Sequence, residues 1–356
     1  MKKVFWIVVG VICAILVIIA ATAGIMQLSV VNQPLGTEIT QAEDLPTSNP
    51  WVTVRLDKRI FTLFAALNAA GYDQENFDQP YHPVRQQVRD ALAGKNFSGQ
   101  ARLRTELSFL HPYNFIVWAL YFDQPPRFDR VVTGWNEKDV PAFFFFGLDS
   151  ELSRFYEEAD IEALWEQVRP QYEEEAARYQ AAAGQAVQEA LDYTRMRDVT
   201  LKQVVIIPNL LSAHWSGFGP SVGETAYVII GPTADEPDVS LVQHEVMHSI
   251  VGPLVEANLQ VIDPRKADEL YAALKKTVPS SYGSWESVVE EQMVRAVDCR
   301  LNASMCDGFI LENDEAEGFL LERYFVNGLK EFEHDNRTLA EFMPELLRVL
   351  NEVTLP

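Results

Sequence analysis

Positive charge is what this 356-residue chain lacks most: 29 lysines and arginines stand against 51 aspartates and glutamates, for a formal net charge of −22. Such a surface repels phosphate backbones and anionic lipid headgroups, which argues against nucleic acid as a partner. It would favour basic substrates, although solubility alone accounts for it. The chain shows no P-loop, no glycine-rich dinucleotide fingerprint and no internal repeat, so phosphate-cradling and solenoid architectures are not indicated. Cysteine is scarce, with three residues. Cys13 falls in an apolar segment. Cys299 and Cys306, seven apart, are left to form a local disulfide in an oxidising compartment or to remain free thiols.

No lysine or arginine occurs between Lys3 and Arg55, and the run from Val4 to Val31 carries no charge at all. About 20 such residues suffice to cross a bilayer core. Lys2 and Lys3 precede the run, whereas Glu38, Glu43 and Asp44 follow it, so the positive-inside rule orients it with the remainder of the chain outside the cytoplasm. Ala21-Thr22-Ala23 resembles a cleavage site, but the apolar stretch before it is long for a signal peptide. The expectation is an uncleaved single-pass anchor over 1–31 in the cell membrane. A tether rich in proline, threonine, serine and acids follows over 32–50.

Residues 51–200 read as mostly helical. An amphipathic helix is expected over Arg55–Ala70. A shorter one is expected over Tyr81–Ala93 with Pro83 near its start. Two apolar helices, Leu103–Leu110 and Tyr113–Phe122, should part at His111-Pro112, because proline disfavours helix at the residue before it. The four phenylalanines Phe143–Phe146 read as core, and the Glu/Ala-rich stretch 157–195, interrupted at Pro170, as solvent-facing helices. From residue 201 the character changes. Gln203–Ile207 and Ala226–Ile230 are β-rich runs between Gly/Pro-rich loops. The loop 213–220 between them reads either as an overhang on a cleft or as an ordinary aromatic-anchored loop.

The chemistry-bearing motif follows directly. Residues 244–248 are His-Glu-Val-Met-His. On a helix, His244 and His248 lie one turn apart on one face, close enough to share a metal ion, while Glu245 sits about 100° around, able to reach a water without being a ligand. Asp235 or Asp238 can cap this helix, apolar residues at 239, 242, 246 and 250 bury one side, and Gly252-Pro253 should stop it. A catalytic zinc takes a third protein ligand. Neither His214 nor His334 has the HExxHxxGxxH spacing. A carboxylate on the helical segment 285–301 is the better candidate, with Glu291 and Glu290 as rivals.

HExxH followed by a glutamate on a later helix resembles the gluzincin arrangement of zinc metallopeptidases. The closer resemblance is to a bacterial group of uncharacterised gluzincin-like proteins. It rests on His244-Glu245-Val246-Met247-His248-Ser249-Ile250-Val251-Gly252-Pro253-Leu254-Val255, on Tyr282-Gly283-Ser284-Trp285, and on Glu291-Gln292-Met293-Val294-Arg295-Ala296. Gln292 stands where that group usually has histidine. The resemblance implies Glu291 rather than Glu290 as the third ligand. It also implies an α+β, mostly helical fold with a zincin-like catalytic region over 201–356 that includes a small sheet. A strand edge of that sheet would hold an extended peptide.

The resulting expectation is a membrane-anchored, extracytoplasmic peptidase acting on peptides or proteins. His244, His248 and Glu291 would bind zinc, Glu245 would serve as general base and then general acid, and Arg295 would hold Glu291. Tyr282, His214 and Tyr324 are candidates to stabilise the oxyanion. The rival from another class is a non-catalytic peptide-binding or scaffold protein that keeps the peptidase fold.

Overall fold

The computed structural model describes residues 42–75, 79–132, 142–196, 201–234, 236–279 and 282–355. The expected anchor and the first part of the tether lie outside the described residues. Among the described residues, no helix is long and apolar enough to cross a membrane.

The chain begins with β1 (Glu43–Pro46) and β2 (Val52–Leu56), followed by α1 (Lys58–Ala70), α2 (Pro83–Leu92), α3 (Gln100–Glu106), α4 (Pro112–Leu120), α5 (Leu148–Glu158) and α6 (Ile161–Thr194). Then come β3 (Gln203–Pro208), β4 (Gly217–Phe218), β5 (Ser221–Val222) and β6 (Thr225–Ile230). The remainder is helical: α7 (Val239–Asn258), α8 (Pro264–Leu274), α9 (Trp285–Leu301), α10 (Leu311–Ala316), α11 (Glu322–Glu333) and α12 (Leu339–Arg348). The fold is therefore α+β and mostly helical, as expected.

Three expectations for the first half need correction. The segment read as tether contributes β1, which pairs antiparallel with β2 and is fixed by a forked ion pair across the register position Asp44↔Arg55. Asn49 in the connecting turn is buried and donates to the Gly184 carbonyl and to Gln188. The helix expected from Arg55 starts later, because Val52–Leu56 alternates buried and half-buried residues as a strand. Asp57 then caps α1 by accepting from the Arg59 and Ile60 amides, and Gly71, in the left-handed region at φ 107°, ends it.

The third correction concerns residues 157–195, expected as solvent-facing helices. They contain one 34-residue helix, α6, that runs through Pro170. It buries Trp165, Val168, Tyr172, Ala176, Tyr179, Ala183, Val187 and Ala190, a 3-4-4-3-4-4-3 stripe that covers one side of the sheet. The expected break at His111-Pro112 is present, with the His111 side chain capping α4. Of the phenylalanine run, Phe145 is core, Phe144 is half-buried against Phe109 and Phe146 is 68% exposed, while the Phe143 side chain lies outside the described ones.

The six-stranded sheet has the order β1-β2-β3-β6-β4, with β5 also on β6. β2, β3 and β6 run parallel, and β1, β4 and β5 are antiparallel to their neighbours. β3 and β6 are nearly continuous apolar runs because both faces are covered. α6 lies against β2 and β3, α7 packs between α6, β6 and α9, and α9 in turn packs along α11. After α9 the chain folds back so that Cys299 and Cys306, both buried, join in a disulfide with Cα atoms 4.7 Å apart. That settles the cysteine alternatives even though α9 runs through Cys299.

Candidate metal centre

α7 starts at Asp238, whose side chain accepts from the Leu241 amide at 2.9 Å; Asp235, the other candidate cap, lies outside the described residues. Val242, Val246 and Ile250 are buried along one side, leaving His244 and His248 to face α9. The helix does not stop at Gly252-Pro253 but continues to Asn258. Pro253 forfeits a single backbone hydrogen bond. Gly252 serves another purpose: a Cβ there would lie 2.8 Å from Glu290 Oε1. Its absence admits the α9 carboxylate that meets His248.

α9 is started by a reciprocal Ser284–Ser287 capping box. It brings three acids to α7. Glu290 Oε1 lies 2.9 Å from His248 Nδ1 and Asp298 Oδ2 lies 2.5 Å from His244 Nδ1. With both Nδ1 atoms engaged, both Nε2 atoms turn inward, 3.2 Å apart. Glu291 Oε2 completes the triangle at 3.4 Å from His248 Nε2 and 3.8 Å from His244 Nε2. A tetrahedral ion with bonds of about 2.0–2.1 Å needs ligand atoms about 3.3 Å apart, so the three atoms fit one face of such a polyhedron. Among the described residues this is the group of three whose ligand atoms converge to hold a metal ion.

The electrostatics point the same way. Burial disfavours charge on both imidazoles, yet the Asp298 carboxylate raises His244 above the ordinary histidine range, and Glu290 with Glu291 raises His248 well above it. Burial likewise works against the Glu291 carboxylate, but the two imidazoles and Arg295 hold it well below the usual range. Surroundings that favour protons on two neighbouring imidazoles favour a cation between them, and a metal binding there would displace those protons.

Glu245 is buried and lies beside the cluster. Burial pushes its carboxyl up, partly offset by His244 and His248. The segment β4–β5 closes over it. A Cβ on Gly217 would collide with the Glu245 carboxylate, and one on Gly219 with the Glu245 backbone carbonyl. Ser221 and Ser249 hydroxyls, 2.7 Å apart, pin β5 to α7. Part of the loop 213–220 therefore does overhang the site.

The structure places the other sequence candidates unevenly. Arg295 does what was expected: Nε donates to Glu291 Oε1 at 2.7 Å and Nη1 to Asp314 Oδ1 at 2.8 Å, with the guanidinium 3.8 Å from the centre of the Phe319 ring. Tyr282 meets the same ring edge-to-face, and burial followed by the Glu291 carboxylate pushes its phenol up. His214 is not brought to the cluster. Glu75 Oε1 accepts from its backbone amide at 2.7 Å and lies 3.0 Å from its Nδ1. Tyr324 is also not brought in. Glu322, Phe325 and Val326 set the buried face of α11; Tyr324, about 200° around from Glu322, makes no side-chain hydrogen bond to the cluster among the described residues. Two carboxylates have places that the sequence analysis did not assign. Glu290, the rival candidate, turns its carboxylate to His248 Nδ1 rather than to the two Nε2 atoms, and Asp298, two turns beyond Glu291 on the same side of α9, meets His244 Nδ1. Metal-binding histidines commonly turn their other ring nitrogen to a carboxylate, a backbone carbonyl or water, and the i, i+7 spacing of Glu291 and Asp298 was the available signal.

No curated protein and no solved structure matches the chain. Residues 219–349 match the model of a family described as a domain of unknown function (DUF4932). The match takes in α7, α9 and every member of the His-His-Glu cluster, and leaves out α1–α6 and β1–β4 up to Phe218.

Proposed function

We propose that the chain is a zinc-dependent peptidase with a zincin-like catalytic region, in which His244, His248 and Glu291 hold the metal and Glu245 moves the proton. The observation that carries this reading is the convergence of His244 Nε2, His248 Nε2 and Glu291 Oε2 within 3.2–3.8 Å beside a buried glutamate. Zinc held by such a donor set lowers the pKa of water to about 7 and polarises a carbonyl. Glu245, with its carboxyl pushed up by burial, takes the proton of the attacking water and hands it to the leaving amine. Asp298 and Glu290 keep the imidazoles in one tautomer and orientation. Tyr282 stands beside the Glu291–Arg295 pair as the remaining oxyanion-donor candidate. The outer edge of the sheet, β4–β5, lies directly over Glu245 and would pair with an extended peptide.

The disulfide supports an extracytoplasmic setting, and the apolar segment 4–31 supplies the anchor in this reading. The test is the purified protein and its Glu245→Gln variant, assayed for zinc by elemental analysis and for cleavage of a peptide library. Equal zinc in both, with hydrolysis only by the parent, is expected. Zinc without hydrolysis in the parent would favour a non-catalytic peptide-binding protein, and no zinc in the parent would remove the metal centre.

A further inference from the structure

Asp298 meets His244 with one carboxylate oxygen only. Oδ2 lies 2.5 Å from His244 Nδ1, while Oδ1 is buried and no donor among the described residues reaches it. Glu291 is placed more firmly, because Arg295 donates to its Oε1 at 2.7 Å and leaves Oε2 to the histidines. A carboxylate with a single contact goes where its backbone goes. The Asp298 backbone belongs to the last turn of α9, which ends at Leu301, and terminal helical turns open readily unless they are tied down.

Three ties are present. The Asn302 backbone amide and Nδ2 both donate to the Asp298 carbonyl at 3.0 Å. Arg300 forks onto the Glu333 carboxylate of α11, with both bonds 2.8 Å long. Cys299, the neighbour of Asp298, is joined to Cys306, which opens the single π-helical turn Cys306–Ile310. The first two ties can open together with the helix end. The third cannot open without breaking a covalent bond, and both of its cysteines are fully buried.

We propose that the Cys299–Cys306 disulfide is a positioning element of the metal centre: it fixes the last turn of α9, and with it the Asp298 carboxylate that orients His244, so that full metal affinity requires the two cysteines to be joined. This rests on the metal-centre reading above and adds a covalent link from outside the motif that defines it.

The test is zinc affinity of the folded protein by chelator competition, with the visible spectrum of the cobalt-substituted protein as a second readout. Cys299→Ala/Cys306→Ala should bind zinc about tenfold more weakly than the parent, at the lower end of what outer-shell changes produce, with a shifted spectrum. Cys306→Ala alone changes no atom of α9 and is expected to show the same loss, so the inference stays testable if the double variant does not fold. The cycle with Asp298→Asn shows the route: removing the disulfide in that background should change affinity by less than about threefold, because the carboxylate it positions is already gone. A lower urea midpoint with parent-like affinity and spectrum would make the disulfide merely structural and overturn the inference. So would a full tenfold further loss in the Asp298→Asn background. A parent that binds no zinc would instead overturn the metal centre itself.

Discussion

Two histidine groups in this molecule share one half of their design and differ in the other. At α7 and α9, His244 and His248 each turn Nδ1 to a carboxylate. In the loop after β3, His214 does the same with Glu75, and its ring stands 6.2 Å from that of His82. The carboxylate–imidazole pair is thus not what marks a metal site. Convergence and charge are. Glu75 is already matched by Arg85 at 3.0 Å. Around His244 and His248 the acids Glu245, Glu290, Glu291 and Asp298 meet Arg295 as the fixed positive charge among the residues acting on the cluster. That excess of negative charge in a buried setting calls for a cation.

The largest expected effect breaks the comparison outright. Glu291→Ala removes a ligand atom and should cost more zinc affinity than the 10–100-fold typical of outer-shell changes, while His214→Ala should leave affinity within about threefold. Chelator competition reads both, and a comparable loss in the two variants would place His214 at the metal after all.

Next in size are the carboxylates behind the histidines. Asp298→Asn and Glu290→Gln should each lower zinc affinity about 10–100-fold, whereas Glu75→Gln, the same change at the other histidine group, should not. Parent affinity in both of the first two variants would mean that the Nδ1 contacts do not orient the ligands. Gly219→Ala is a packing test of the same site. Its Cβ would meet the backbone of Glu245, which cannot swing aside, so a destabilisation of about 1–3 kcal/mol is expected in urea unfolding. An unchanged midpoint would show that β4–β5 does not pack on Glu245.

Much of this was legible because local patterns and tertiary needs agreed. The HExxH helix, the strands around 203–207 and 226–230, and the break at His111-Pro112 all follow from spacing and proline chemistry. The failures have physical causes too. In α6 the buried stripe is largely alanine and tyrosine, which reads as weakly apolar, while its glutamates dominate the composition. Gly252-Pro253 carries the chemistry of a helix stop, yet α7 continues to Asn258, and the missing Cβ at Gly252 leaves room for Glu290 instead. His214 was weighed by residue type, and the side of the loop it faces is fixed by Glu75, 139 positions away. Glu290 and Glu291 are adjacent in sequence, and only the packing of α9 on α7 turns one to His248 Nδ1 and the other toward the two Nε2 atoms.

The smallest expected effect separates the histidine groups by their protons. His82 caps α2, its Nδ1 accepting from the Val84 amide at 3.3 Å. Burial, then the nearby His214 ring, pushes its imidazole down to about 4 from the ordinary value of 6.5. The folded state therefore holds His82 neutral where the unfolded chain protonates it. Its contribution to stability is fully present above pH 6.5 and is lost as pH falls toward about 4, with at most one proton taken up on unfolding. His82→Asn keeps a capping side chain and removes the titration. In urea titrations with chelator present, so that zinc release does not add its own slope, the parent should lose stability more steeply than the variant between pH 6.5 and 4. Equal slopes would mean that His82 is charged in the folded protein and that its ring is open to water.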